Sequence, residues 1–174
     1  GLHRYETLQA LMRALGSMYR TALVVFLLDQ LSKYIVVHFL GLKDRGNMLV
    51  WDPFVNFRMA WNEGINFGIP LGSKWVLIAL AVLISGWVIW WMHRDRPGRW
   101  VQISAGLVIG GALGNVIDRV IYGAVADFLN MSCCGIENPW SFNVADIAIF
   151  VGAVGLILLG GDTPKDRDVP PASS

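Results

Sequence analysis

Charge is scarce in this 174-residue chain: Asp, Glu, Lys and Arg together make up 16% of it, against about a quarter in soluble domains. Hydrophobic residues reach 55% and the mean hydropathy is +0.50, so much of the folded surface is not meant for water. The net charge is +1 and no basic run stands out, which excludes nucleic acid as a natural partner. Cysteine is almost absent. The two present, Cys133 and Cys134, are adjacent and provide no disulfide framework, and neighbouring cysteines do not readily close a relaxed disulfide. The histidines, His3, His38 and His93, are scattered without HExxH or comparable ligand spacing, so no metal and no cofactor is expected. Ser85, in Ile84-Ser85-Gly86, has no GxSxG context and no histidine nearby, which removes the usual serine nucleophile. Asn130-Met131-Ser132 matches a glycosylation sequon, a short pattern taken as chance.

What the chain does have is apolar length. Four stretches, about 19–40, 75–92, 101–122 and 144–160, approach the roughly 20 residues that cross a hydrocarbon core. The expected fold is an all-α membrane protein: a single domain of four transmembrane helices spanning residues 1–174, with a small strand-containing extracytoplasmic cradle between the first two. That cradle covers about 41–73, where Met48–Trp51 and Phe54–Phe57 read as short strands around Asp52-Pro53. Residues 1–17 and 162–174 read as flexible tails. Lys and Arg gather before the first span (Arg4, Arg13, Arg20) and in the short second loop (Arg94, Arg96, Arg99), and are missing between spans three and four. Both termini are therefore expected on the cytoplasmic side. Four lysines and arginines in the first loop weaken that contrast.

Polar residues inside apolar spans are costly, and each is a functional candidate. Asp29 and Lys33 stand i,i+4 in the first span, where they can pair; mutual neutralisation that merely holds the bundle together is the competing explanation. In the third span Gly106, Gly110 and Gly114 recur at period four, a small-residue stripe for close helix packing. Asn115, Asp118 and Arg119 follow directly and share a face, which packing alone does not require. If the third span runs outward, Asp127 lies just past its outer end. The fourth span starts at Asn143-Val144-Ala145-Asp146, which puts Asp146 at the same depth. Either aspartate by itself could be loop or helix-cap chemistry. Two carboxylates about 3 Å apart cannot both ionise and share a proton. One then activates water as a base and the other protonates the scissile group, which is aspartic protease chemistry. A small transporter using Asp29, Lys33, Asp118 and Arg119 as a relay is the main alternative, although no internal repeat of the transporter kind is visible. A non-catalytic scaffold would account for the glycines but not for the polar cluster.

Five motifs in order carry a resemblance over roughly residues 22–158: Asp29-Gln30-xx-Lys33, Asn62-x-Gly64-xx-Phe67, Gly110-Gly111-xx-Gly114-Asn115-xx-Asp118-Arg119, Asp127-Phe128 and Phe142-Asn143-x-Ala145-Asp146. Here the chain resembles the bacterial lipoprotein signal peptidases (signal peptidase II). The resemblance implies an intramembrane aspartyl endopeptidase of the inner membrane that removes signal peptides from prolipoproteins, cutting before a diacylglyceryl-modified cysteine. It implies Asp127 and Asp146 as the catalytic pair, with Asp29, Lys33, Asn62, Gly64, Asn115, Asp118, Arg119 and Asn143 in support. It further implies a strand cradle with a short surface helix over the site, lipidated prolipoproteins and membrane lipids as partners, and inhibition by the cyclic peptide globomycin. One bundle carries every proposed site residue, so a monomer suffices. Two departures stand out: Asn66 replaces the small residue common before Phe67, and the 131–141 loop with its Cys pair differs from commoner forms.

Overall fold

A computed structural model describes residues 15–64 and 73–161. Asn66, Phe67 and any surface helix over the site lie outside the described residues, as do most of both tails. Helix α1 (Gly16–Lys33) continues as a wider π-helical stretch over Tyr34–Phe39 and is followed by a single turn, α2 (Leu42–Arg45). Strands β1 (Asn47–Trp51) and β2 (Val55–Asn62) come next. Helices α3 (Ser73–Asp95) and α4 (Arg99–Tyr122), strand β3 (Val125–Met131) and helix α5 (Val144–Leu159) complete the chain.

Three of the helical segments, Gly16–Phe39, Lys74–Asp95 and Arg99–Tyr122, are long and apolar enough to cross a membrane. The fourth, α5, is apolar but has 16 residues, about 24 Å at 1.5 Å per residue, shorter than the bilayer's hydrocarbon core. Large side chains on these helices point away from the protein: Leu23, Leu27 and Leu31 on α1, Leu80 and Leu83 on α3, and Phe150, Ile157 and Leu158 on α5 are all exposed. So large an apolar surface is untenable in water and natural against lipid.

Helix α4 is the centre of the bundle. Its glycines let backbones meet: a Cβ on Gly106 would stand 2.5 Å from the Met18 carbonyl oxygen, and one on Gly110 would stand 2.5 Å from that of Ala22. Gly114 faces the Asp29 carboxylate in the same way. These contacts climb α1 and α4 together, so the two helices run parallel. On another face Gly111 meets Ala145 while Gly152 of α5 meets Ser104, so α5 runs antiparallel to α4. Leu15, Met18, Val88, Met92, Val101 and Ala105 close the far end as one apolar cluster. The end of α1, the sheet and the start of α5 therefore gather at the opposite end.

The sheet is antiparallel in the order β1-β2-β3. Two of its strands lie where the first loop was read as broken strands, with β2 extending further, to Asn62. The third was unexpected. β3 comes from the segment after the third span, and its first four residues are buried on both faces, which erases the alternation that announces a strand. Phe128 packs edge-on against Phe57 at 5.8 Å, over Val36, Val37 and Leu42. Pairing of β2 with β3 shifts between Phe57↔Leu129 and Ala60↔Asp127, an irregularity that places one extra residue in β2. Without that bulge Asp127 would oppose Met59, and Asn62 would point to the other face of the sheet. With it, Asn62 and Asp127 become diagonal neighbours on one face.

Candidate active site

The polar residues singled out in the sequence converge at the sheet end of the bundle. Asp127 is delivered by β3 and is 3% exposed. Its two carboxyl oxygens accept from Asn143 Nδ2 at 2.7 Å and from Asn62 Nδ2 at 3.1 Å. Asn62 is itself held by the Gly64 amide, which donates to its Oδ1 at 3.0 Å. Gly64 has φ +89°, a conformation that glycine adopts without a Cβ penalty.

Asp146 opens α5 and is half-buried. Asn143, fully buried, caps that helix: the Asp146 amide donates to Asn143 Oδ1 at 2.9 Å, and the Asn143 amide donates to Asp146 Oδ2 at 3.2 Å. This reciprocal capping box satisfies donors at the helix start. Capping was the competing explanation for Asp146, and the side chain does cap, while its other oxygen accepts from Asn115 Nδ2 at 3.0 Å. Asn143 is thus the link between the two aspartates, with its side-chain amide on Asp127 and its backbone amide on Asp146. Asn115 Oδ1 accepts from Asn143 Nδ2 as well, at 3.3 Å.

Burial raises the Asp127 carboxyl from its ordinary 3.8 to about 6, and the Asp146 charge adds to the effect; the Asn62 and Asn143 donors and the Lys33 charge pull the other way. Taking a carboxylate out of water disfavours its charged form, and a nearby like charge does the same. Arg119 is half-buried within electrostatic reach of Asp127, Asp146 and Asp118. Its Nη1 donates to the Asn115 carbonyl at 3.3 Å, while its buried Nε has no partner among the described residues.

Behind the two aspartates lies a second cluster. Lys33 Nζ is 2.7 Å from Asp29 Oδ2 and 2.7 Å from Asp118 Oδ2. Gln30 Nε2 bridges the same two carboxylates at 3.1 Å each. Gln30 stands in the sequence only as a member of the Asp29-Gln30-xx-Lys33 motif, and its position next to Asp29 is the signal available for it. All eight supporting residues named in the sequence therefore stand at this end, in two connected groups.

Other features resolve differently. Asn130 is buried, and its Nδ2 donates to the Asn138 and Trp140 carbonyls at 2.8 and 2.9 Å, so the sequon asparagine is a loop staple. Cys133 and Cys134 are exposed on a tight turn away from the site. Among the described residues no group of three His, Cys, Asp or Glu side chains is arranged to hold a metal ion.

The family model described as signal peptidase (SPase) II matches residues 21–160. The lipoprotein signal peptidase of Methylobacterium radiotolerans is 43% identical over 128 residues, covering 68% of this chain and 71% of its own. That of Aeromonas hydrophila is 37% identical over 155 residues, covering 86% of this chain and 91% of its own. A solved structure described as a bacterial membrane enzyme is 29% identical and superposes with a TM-score of 0.71, over 89% of this chain and 94% of that one.

Proposed function

The chain belongs to the signal peptidase II family, and from that premise we propose that it is an aspartyl endopeptidase with Asp127 and Asp146 as its catalytic pair. It is a membrane peptidase of the lipoprotein signal peptidase group, for which signal-peptide removal from lipoproteins follows from the family. The finer reading is that it crosses the bacterial inner membrane four times with both termini cytoplasmic. It then cuts at the outer face, just before a diacylglyceryl-modified cysteine.

One observation carries the assignment: two carboxyls from different elements meet at one end of a lipid-facing bundle, joined through Asn143 and unequal in surroundings. Asp127 keeps a proton up to about pH 6 and serves as the acid toward the scissile carbonyl. Asp146, at the positive end of α5 and facing amide donors, serves as the base toward water. Water loses a proton to Asp146 as its oxygen bonds to the carbonyl carbon, and the carbonyl oxygen takes the proton of Asp127. Collapse of the tetrahedral species breaks the C–N bond. The new amine leaves with the proton held by Asp146, and Asp127 recovers its own from the hydroxyl. Arg119, whose buried Nε has no partner among the described residues, holds the substrate beside both aspartates through a charge-assisted hydrogen bond. The α4 and α5 faces open to lipid, so an acyl anchor stays in the bilayer while the peptide reaches the carboxyls. Globomycin would compete for that position.

The test is a pair of substrates, a diacylglyceryl-modified prolipoprotein and its unlipidated twin, incubated with purified protein in lipid vesicles. Cleavage of the lipidated form alone is expected, with loss of turnover in Asp127→Asn and in Asp146→Asn. Equal cleavage of both forms would overturn the substrate assignment, and near-normal turnover in either variant would overturn the pair.

A further inference from the structure

Asp127 and Asp146 each end a Val-Ala-Asp triplet, at 125–127 and 144–146. The amide of the alanine is gripped in the same manner both times. The Ala145 amide donates to Asp29 Oδ1 at 2.9 Å, and the Ala126 amide donates to Asp118 Oδ2 at 3.2 Å. Asp29 and Asp118 come from different helices, α1 and α4, and both are ion-paired to the one ammonium of Lys33, at 2.7 Å each. One buried cation thus stands at the root of two parallel arms, each holding the backbone one residue before a catalytic aspartate. Ion pairing alone would not need those amides, and capping of α5 is already supplied by Asn143. We propose that Lys33 is a positioning residue that sets the placement of Asp127 relative to Asp146, acting through Asp29 on one and Asp118 on the other.

The physical reason lies in the connectivity. Asp127 sits on a strand and Asp146 on a helix, with 18 residues between them in the chain, so local structure does not tie one to the other. Two anions at 0% and 1% exposure would repel and separate without a cation between them. The loss of Lys33 leaves uncompensated buried charge, which low local dielectric makes severe. Geometry at the dyad is the quantity at stake, because a reacting group displaced by about 1 Å can cost about a hundredfold in rate. The charge of Lys33 also lowers the proton affinity of Asp127, giving a second readout that a packing role would not move. The charged groups around Lys33 are Asp29 on its own helix, Asp118 from α4 with Arg119 in electrostatic reach of it, and Asp127 from β3, itself within reach of Asp146 from α5. His38, Tyr34 and Tyr122 line a cavity of about 260 Å³ on its other side.

This inference rests on the peptidase reading, and its test includes a measurement that needs no substrate. Amide hydrogen exchange on full-length Lys33→Met in lipid nanodiscs should show segments 125–128 and 143–147 losing protection together, about tenfold or more by the coupling of both to one site. In folded protein kcat should fall about a hundredfold with little change in KM. The high-pH limb of the rate profile should move upward, because Asp127 holds its proton more tightly without the ammonium. A His38→Gln control identifies any limb owned by the imidazole. Lys33→Arg should restore both protection and rate in part. Loss of protection in one segment only, in neither, or an unmoved limb would overturn the proposal. Should Lys33→Met fail to fold, Asp118→Ala removes one arm, charge and acceptor together, and should loosen 125–128 while 143–147 stays protected; the reverse pattern, or no change, would overturn it equally. Absence of cleavage by the unaltered enzyme would count against the peptidase reading and leave the exchange result to judge the clamp.

Discussion

Replacing Asp127 by Asn should remove a pH dependence of stability that the native carboxyl imposes. Asp127 is 3% exposed, and its carboxyl is raised from 3.8 to about 6, by burial first and the Asp146 charge second. In the unfolded chain the group returns to its ordinary value. Between those values the folded protein holds a proton that the unfolded chain has released, so stability falls as pH rises through the window. A raise of about 2 units, at about 1.4 kcal/mol per unit, corresponds to about 3 kcal/mol lost between roughly pH 4 and pH 6. The asparagine has no proton to lose. It also has a single acceptor oxygen where two donors, Asn62 Nδ2 and Asn143 Nδ2, approach. One of them is left facing an amide, at a cost of about 1–3 kcal/mol at every pH. The two effects oppose each other in absolute stability but not in slope. Denaturant unfolding of both proteins in the same detergent, followed by the fluorescence of the eight tryptophans, separates them. The stability of the native protein minus that of the variant should drop by about 3 kcal/mol from pH 4 to pH 7. A difference that stays level across that range would refute the raised proton affinity, and with it the acid role of Asp127.

Arg119→Ala should raise KM about tenfold with a smaller effect on kcat, by loss of about one charge-assisted hydrogen bond to substrate; steady-state kinetics with the lipidated precursor measures it. Asn143→Ala removes the α5 cap and the link between the aspartates, so melting should register a loss of about 0.5–2 kcal/mol for the cap, with turnover falling far more. Gly114→Ala drives a methyl group into the Asp29 carboxylate. Thermal unfolding should show at least the roughly 1–3 kcal/mol of ordinary overpacking, whereas Gly86→Ala, where a Cβ meets nothing within 4 Å, should show no loss.

Much of the site was legible in the chain because its residues are expensive where they stand. Asp29, Lys33, Asn115, Asp118 and Arg119 interrupt apolar helices, and a helix turns a spacing of three or four into a shared face without help from the rest of the protein. The glycine stripe at 106, 110 and 114 was readable for the same reason, since close helix approach leaves a periodic mark. Asn143-x-x-Asp146 was visible as a helix start, and residues on both sides of Asp52-Pro53 as strands. Those are local facts, set by neighbours in sequence. Strand β3 was not local: its residues are buried on both faces, and only its partner β2 makes it a strand. The bulge that turns Asn62 toward Asp127 exists in the pairing of two distant segments, so no pattern in either one announces it. The grip of Asp29 on the Ala145 amide, and of Asp118 on the Ala126 amide, joins residues 116 and 8 apart through backbone donors, which carry no signature in residue type. Residue type and spacing along the chain dictate which side chains the membrane forces to find partners. Tertiary structure alone decided which partners they found, because buried charges are satisfied by whatever donor the packed chain brings within about 3 Å, however far away it lies in the sequence.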